Sequence, residues 1–289
     1  MIADRAAELR AARIPFVHAK VVLAERPTSA QPGAEALVLA DGTMEGFVGG
    51  DCAEATVRAQ ALAVLDSGES VLLRISPTPE DAMPGKLTAH NPCLSGGTLE
   101  IFLEPVRPAP IVAVIGDSPI ARALVTIGRA LGYELVRGDD VPADASAVIV
   151  ATHGRDEAGP LVAALRAGVG YVGLVASPKR GAAVIAGLDV EPALAAHIVT
   201  PAGLDIGART PEEVALSILA DIVARRPRPS ARSVVEGNQP ATTTTDPVCG
   251  MAVAAVESSL HLDHGGVRYH FCGSGCLRAF AADPARYVV

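Results

Sequence analysis

Apolar positions along this chain keep two different rhythms. Up to about residue 107, short apolar runs alternate with turn residues. Phe16 to Ala24 (FVHAKVVLA) and Ala36 to Leu39 read as strands, and Asp41-Gly42 is a hairpin signal leading into Met44 to Val48. Ala53 to Leu65 carries helix formers closed by Ser67-Gly68, and Val71 to Ile75 and Leu99 to Leu103 predict two more strands. Between those strands, 76–97 is rich in Pro, Gly and Ser and reads as a long functional loop. From 110 the strands become fully apolar: Ile111 to Ile115, Ala147 to Ala151 and Tyr171 to Val175, followed by helical stretches at about 119–131, 156–167 and 178–186. Strand-turn-helix repetition with such strands predicts a parallel sheet covered on both faces. A last helix opens at Thr210-Pro211-Glu212-Glu213, where Thr210 caps, Pro211 suits the first turn and Glu213 completes a capping box.

The rhythm then stops. Residues 227–245 (PRPSARSVVEGNQPATTTT) lack periodicity and read as a linker. The predicted architecture is α/β: an N-terminal α+β domain at 1–107, a Rossmann-like parallel-sheet domain at 108–226, the linker, and a small C-terminal domain at 246–289.

Composition narrows the function classes. Aromatics are only 3% and Trp is absent, so Ala, Val, Leu and Ile must build the core. Twenty-four basic residues face 32 acidic ones, and no basic block stands out, which argues against a nucleic-acid surface. No uninterrupted apolar stretch is long enough to predict a membrane span. Five cysteines, an odd number, with no signal-peptide pattern, point to a reducing, cytoplasmic setting rather than a disulfide framework.

Candidate chemistry falls in three places. Gly49-Gly50-Asp51-Cys52 sets a glycine-rich turn at a strand-to-helix junction, with Cys52 in the first helical turn, where a thiol pKa is lowered. Cys93 lies in the second glycine-rich loop. In the second domain, Gly116-Asp117-Ser118-Pro119 occupies the turn where dinucleotide folds cradle a pyrophosphate, although only one glycine of that pattern is present and Asp117 opposes an anion. Asp139 and Asp140 stand where a ribose-binding acid is expected. His153, Ser177, Lys179, Arg180 and Asp205 lie in loops after strands of the same sheet and are candidates to converge on a phosphate-bearing ligand; capping and surface charge are the plainer account of each. The tail is the sharpest motif. Cys249, Cys272 and Cys276 fall within a unit too small for a large core, which predicts a metal staple for zinc or copper. Its fourth ligand is open, with His261, His264 and His270 as candidates.

Two resemblances follow from these stretches. Residues from about 14 to 226 resemble the XdhC/CoxI accessory proteins of molybdenum hydroxylases, through Gly49 to Glu54 (GGDCAE), Ser95 to Glu100 (SGGTLE), Gly170 to Arg180 (GYVGLVASPKR) and Pro201 to Glu213 (PAGLDIGARTPEE). Within that family the likeness is nearest to carbon monoxide dehydrogenase accessory proteins of the CoxF kind. The tail resembles a YHS domain, a module thought to bind metals. The resemblance implies a chaperone without turnover, which binds molybdenum cofactor as molybdopterin cytosine dinucleotide and helps insert it into an apo-hydroxylase such as carbon monoxide or xanthine dehydrogenase. It further implies Cys52 and Cys93 as thiols touching that cofactor, a sulfur-donating desulfurase as partner, and a homodimer. The residues themselves leave two other readings open. One is an NAD(P)-dependent oxidoreductase resting on the second domain; the other is a copper- or zinc-handling protein resting on the tail.

Overall fold

The computed structural model describes residues 1–81, 83–91, 97–226 and 243–288. They form two compact units, one joining residues 1–108 to the tail and the other spanning 109–226.

The first unit begins with helix α1 (Ile2–Ala11) and strands β1 (Phe16–Glu25), β2 (Glu35–Leu39) and β3 (Met44–Gly46). Helix α2 (Asp51–Ser67) follows, then β4 (Val71–Ser76), β5 (Lys86–His90) and β6 (Thr98–Val106). The strands make one sheet in the order β3-β2-β1-β6-β4-β5. All pairs are antiparallel except β4 with β5. β1 shows why: Val17, Ala19 and Val21 alternate with more exposed neighbours, and together with Ile101 and Leu103 of β6 they pack under Val57, Ala61 and Val64 of α2. Gly68 ends α2 in the left-handed region at φ 75°. The long loop expected at 76–97 is interrupted. Lys86–His90 pairs with β4 as an edge strand whose residues are only half-buried, so it lacks the apolar signature of an inner strand.

The tail adds β12 (Thr243–Thr245), β13 (Ala252–Ala254), β14 (His261–His264), β15 (Val267–His270), helix α8 (Ser274–Ala282) and a short 3-10 turn at Pro284–Arg286. Thr243–Thr245, read as the end of the linker, instead pair with β13. Phe280 is fully buried at the hub of the tail, with Tyr269, Phe271 and Tyr287 around it at centroid distances of 4.9, 5.2 and 6.2 Å. The tail does not stand apart from the first domain: Met251, Val253 and Cys272 form one buried cluster with Ala55 of α2.

The second unit runs β7 (Ile111–Ile115), α3 (Pro119–Ala130), β8 (Glu134–Arg137), β9 (Ala145–Val150), α4 (Ala158–Arg166), β10 (Tyr171–Leu174), α5 (Pro178–Ala186), α6 (Pro192–Ala195), β11 (Ile198–Val199) and α7 (Pro211–Arg225). Its five strands are all parallel, in the order β11-β10-β9-β7-β8. Successive residues of β7 point to opposite faces. Val112 and Val114 join the core under α3 and α7, while Ile111, Ala113 and Ile115 join that under α4. Both faces are therefore covered, as the fully apolar strands predict. The order reverses between β7 and β9, which places a crevice at their carboxyl ends.

Candidate functional site

Two cavities follow from this architecture, one in each unit. In the second unit a cleft of about 840 Å³ opens at the β7/β9 reversal, lined among others by Gly116, Asp117, Arg137, Asp139, Asp140 and Asp156. Gly116 sits at φ 109°, and a Cβ there would come within 2.7 Å of the Ala151 carbonyl oxygen. The glycine is thus demanded by the neighbouring strand turn, whatever the cleft holds. The Ser118 hydroxyl accepts the Ala121 N–H at 3.1 Å, which caps α3 and uses one of the donors that would otherwise face a phosphate. Asp117 pairs with Arg137 at 2.6 Å and with Arg122 at 3.4 Å, so its charge is partly offset. The rim still carries Asp139, Asp140 and Asp156, an acidic balance that disfavours a polyanion.

Of the loop residues predicted to converge on a ligand, none lines this cleft among the described residues. Ser177 caps α5 by accepting the Arg180 N–H at 3.4 Å. Arg180 is spent internally: it donates to both carboxylate oxygens of buried Glu157 at 2.6 Å and to the Val175 carbonyl at 2.7 Å. His153 is exposed at φ 56°, Lys179 is exposed, and exposed Asp205 accepts the Gly207 N–H at 3.4 Å. Their local roles are capping, bracing and solvation.

The larger cavity belongs to the first unit and measures about 1090 Å³. Its wall brings together Gly50, Cys52, Asn91 and Gly97 from the N-terminal segment and Cys249, Cys272 and Cys276 from the tail, with Arg26 at its edge. Gly50 is the N-cap of α2 and Gly49 precedes it, so Cys52 lies in the first turn of that helix, where backbone N–H groups and the helix dipole favour a thiolate. Cys93 lies outside the described residues.

The tail thiols gather as the spacing predicts. Cys249 and Cys272 sulfurs are 3.5 Å apart and Cys272 and Cys276 3.7 Å apart. Cys276 follows Cys272 by one turn at the start of α8, while Cys249 comes from the turn before β13. The sequence did not foretell two further groups. Asp246 is fully buried, and one of its oxygens lies within 4.8 Å of all three sulfurs. Its Oδ1 accepts the Val248 N–H at 2.9 Å and its Oδ2 the Cys272 N–H at 2.8 Å, closing the turn that carries Cys249. An Asp two and three residues before turn positions is an Asx-turn signal, visible in Asp246-Pro247-Val248-Cys249. The other addition is Cys52, whose sulfur stands 3.9 Å from that of Cys272 across 220 residues of chain. No local signal announces such a contact.

The three histidines named as a fourth ligand do not join this group. His261 and His270 face each other across the β14–β15 pair, and His264 packs on the edge of the Phe280 ring. Electrostatics within the cluster is uneven. Hydrogen bonding from Cys272 draws the Cys249 thiol down to about 7. The same contact, then that with Cys52, drives Cys272 upward, and burial pushes Cys276 up to about 12. A soft divalent cation among these sulfurs would favour the ionised form of all of them. Three thiols and a carboxylate in this space form a donor set suited to zinc.

Fold and site together define a three-part α/β protein: its first part and tail share a thiol-lined cavity, and its other unit is a Rossmann-type domain. Residues 9–76 match the XdhC and CoxI family, 112–222 the XdhC Rossmann domain and 244–289 the YHS domain. The chain therefore carries an XdhC and CoxI family domain, an XdhC Rossmann domain and, at its end, a YHS domain. It is similar to an uncharacterized protein, YqeB, of Escherichia coli K12, at 24% identity over 92% of this chain and 54% of that protein. It is also similar to a protein of Bacillus subtilis 168 described as a probable xanthine dehydrogenase component, at 24% identity over 45% of this chain and 47% of that one. The chain thus spans about half the length of both curated relatives. A crystal structure of a xanthine dehydrogenase from Bacillus halodurans aligns with 80% of this chain and 98% of its own at 18% identity and a TM-score of 0.38. Among the described residues, no helix is long and apolar enough to cross a membrane.

Proposed function

We propose that this protein is an accessory factor of molybdenum hydroxylases, which binds molybdopterin cytosine dinucleotide as cargo, shelters it and passes it to the apo-enzyme without turning anything over. The observation that carries this reading is the 1090 Å³ cavity of the first unit. It is at the upper end of ligand-pocket volumes, enough for a dinucleotide-sized guest. Its wall offers what such a guest needs: the N-terminus of α2 for a phosphate, the Arg26 guanidinium for a second anionic group, and Cys52 as a soft donor beside the sulfur-rich end of the cofactor. The domain match and the xanthine dehydrogenase relative support a molybdenum hydroxylase as target; a carbon monoxide dehydrogenase target and a sulfur-donating desulfurase as further partner belong to the same proposal.

The test is titration of the reduced full chain with molybdopterin cytosine dinucleotide, followed by calorimetry or fluorescence. Binding at micromolar affinity or tighter is expected, weakened in Arg26→Ala. Absence of binding with all thiols reduced overturns the reading. The oxidoreductase alternative rests on the cleft of the second unit, and the same titration with NADH separates it.

A further inference from the structure

By sequence the cysteines divide into two chemistries, with Cys52 facing a cofactor and three tail cysteines holding a metal. Their sulfurs are in fact neighbours. Cys272 lies 3.5 Å from Cys249, 3.7 Å from Cys276 and 3.9 Å from Cys52. Zinc bonds thiolate sulfur at about 2.3 Å, so two sulfurs on a tetrahedral zinc stand about 3.8 Å apart. The three observed separations bracket that edge, and they meet at one vertex, Cys272.

We infer that Cys52 is the fourth sulfur ligand of the tail's metal site, so that one tetrahedral zinc-class cation bridges the N-terminal segment and the YHS domain. Asp246 is the competing fourth ligand: one of its oxygens lies within 4.8 Å of all three tail sulfurs, whereas Cys52 is placed by its 3.9 Å contact with Cys272. Its two oxygens already accept backbone N–H groups of Val248 and Cys272, which makes it the brace of the cysteine turn. Cys52 also arrives with support for negative charge. It rides in the first turn of α2, Cys276 in the first turn of α8, and the positive ends of both helices meet at the sulfurs. The approach is built into the backbone. Gly273 has Cys52 Sγ 3.5 Å and Asp51 Cβ 3.1 Å from where a side chain would begin, and the Asp51 carboxylate accepts the Ser274 N–H at 3.2 Å. The inference does not rest on the cofactor reading but bears on it: a Cys52 thiolate held by the cation is not free to meet the cofactor, which would then be held through Arg26 and the rest of the cavity wall.

The experiment loads the full chain with one equivalent of cobalt(II) or zinc(II) and compares wild type with Cys52→Ser and Asp246→Asn. Wild type is expected to show the intense sulfur-to-cobalt charge-transfer band of a tetrahedral four-thiolate site. Cys52→Ser is expected to lose one ligand's share of that band and at least the about 10- to 100-fold in zinc affinity that even an outer-shell partner can cost. Asp246→Asn should keep the four-sulfur band. Circular dichroism of each metal-free variant checks folding. A second measurement needs no variant: zinc should protect Cys52 from iodoacetamide together with Cys249, Cys272 and Cys276, read by peptide mass spectrometry. A full four-sulfur band in Cys52→Ser, alkylation of Cys52 at the metal-free rate in zinc-loaded protein, or no metal uptake by wild type would each overturn the inference.

Discussion

Single side chains fix the walls of both units. Glu100 is 11% exposed and accepts from Lys86 at 2.6 Å and Arg74 at 3.0 Å, while Arg74 also holds Glu80 at 2.7 Å. The network ties edge strand β5 and the loop before it to β4 and β6. Lys86, then Arg74, hold the Glu100 carboxyl below its ordinary 4.5, against the opposing effect of burial. Glu100→Gln should therefore cost about 1–3 kcal/mol at pH 7, since it leaves two cations short of a partner. Because the folded-state value is depressed, the stabilisation is fully present above about 4.5 and is lost as pH falls through the lower folded value. Urea unfolding of wild type and variant at pH 7 and pH 3 checks both parts: the gap between them should narrow at the acid end. The second unit has a counterpart in Asp221, which is 2% exposed and takes the Tyr171 hydroxyl at 3.0 Å and the Arg225 guanidinium at 2.7 Å. Burial, reinforced by the Asp221 charge, keeps the Tyr171 phenol protonated as a donor far above its usual range. Tyr171→Phe should destabilise by about 1–3 kcal/mol in the same assay through the stranded carboxylate oxygen. Neither network is legible in sequence as a whole: Arg225–Asp221 is an i,i+4 pair and Arg74–Glu80 is six apart, but the contacts that close the networks span 14, 26 and 50 positions.

Elements were legible wherever burial was one-sided or complete. β1, β7 and β9 announce themselves by alternation or by continuous apolar runs, and α7 by its Thr210–Glu213 capping box, which the structure contains. Two edge strands were not legible: β5 is half-buried from Lys86 to Ala89 with His90 exposed, and β11 has only two residues, too few to show a period. α8 is a different case. Its N-terminus is visible from Cys272-Gly273-Ser274, but its cap comes from Asp51, outside its own segment of chain. Asp51→Ala should cost about 1 kcal/mol at that helix end and raise amide hydrogen exchange across 274–282, whereas Asp51→Asn should change it little. Equal exchange in the two variants would mean that the carboxylate does not serve as the cap.

At the scale of the whole molecule, sequence position misleads about partnership. The linker composition at 227–245 suggested a tail behaving as a separate object, yet the tail packs with residues 1–108 as one unit. The reason is physical. A segment of this size buries little apolar surface alone, and its own hub is essentially Phe280 with its ring neighbours. It gains the rest from Ala55 and Cys52 of α2 and from the Asp41 carbonyl, which accepts the Ser258 hydroxyl at 2.9 Å. A cation held by thiols from both sides, as inferred above, would add a direct tie to the packing of β13 on α2. Chelating it should therefore loosen both partners together. Amide exchange should rise across 246–276 and across the first turn of α2 in the same step, while β1, in the same unit but remote from the sulfurs, stays protected. If exchange rises in the tail and the first turn of α2 is unaffected, the tail holds its metal without help from the N-terminal segment, and docking rests on apolar contact alone.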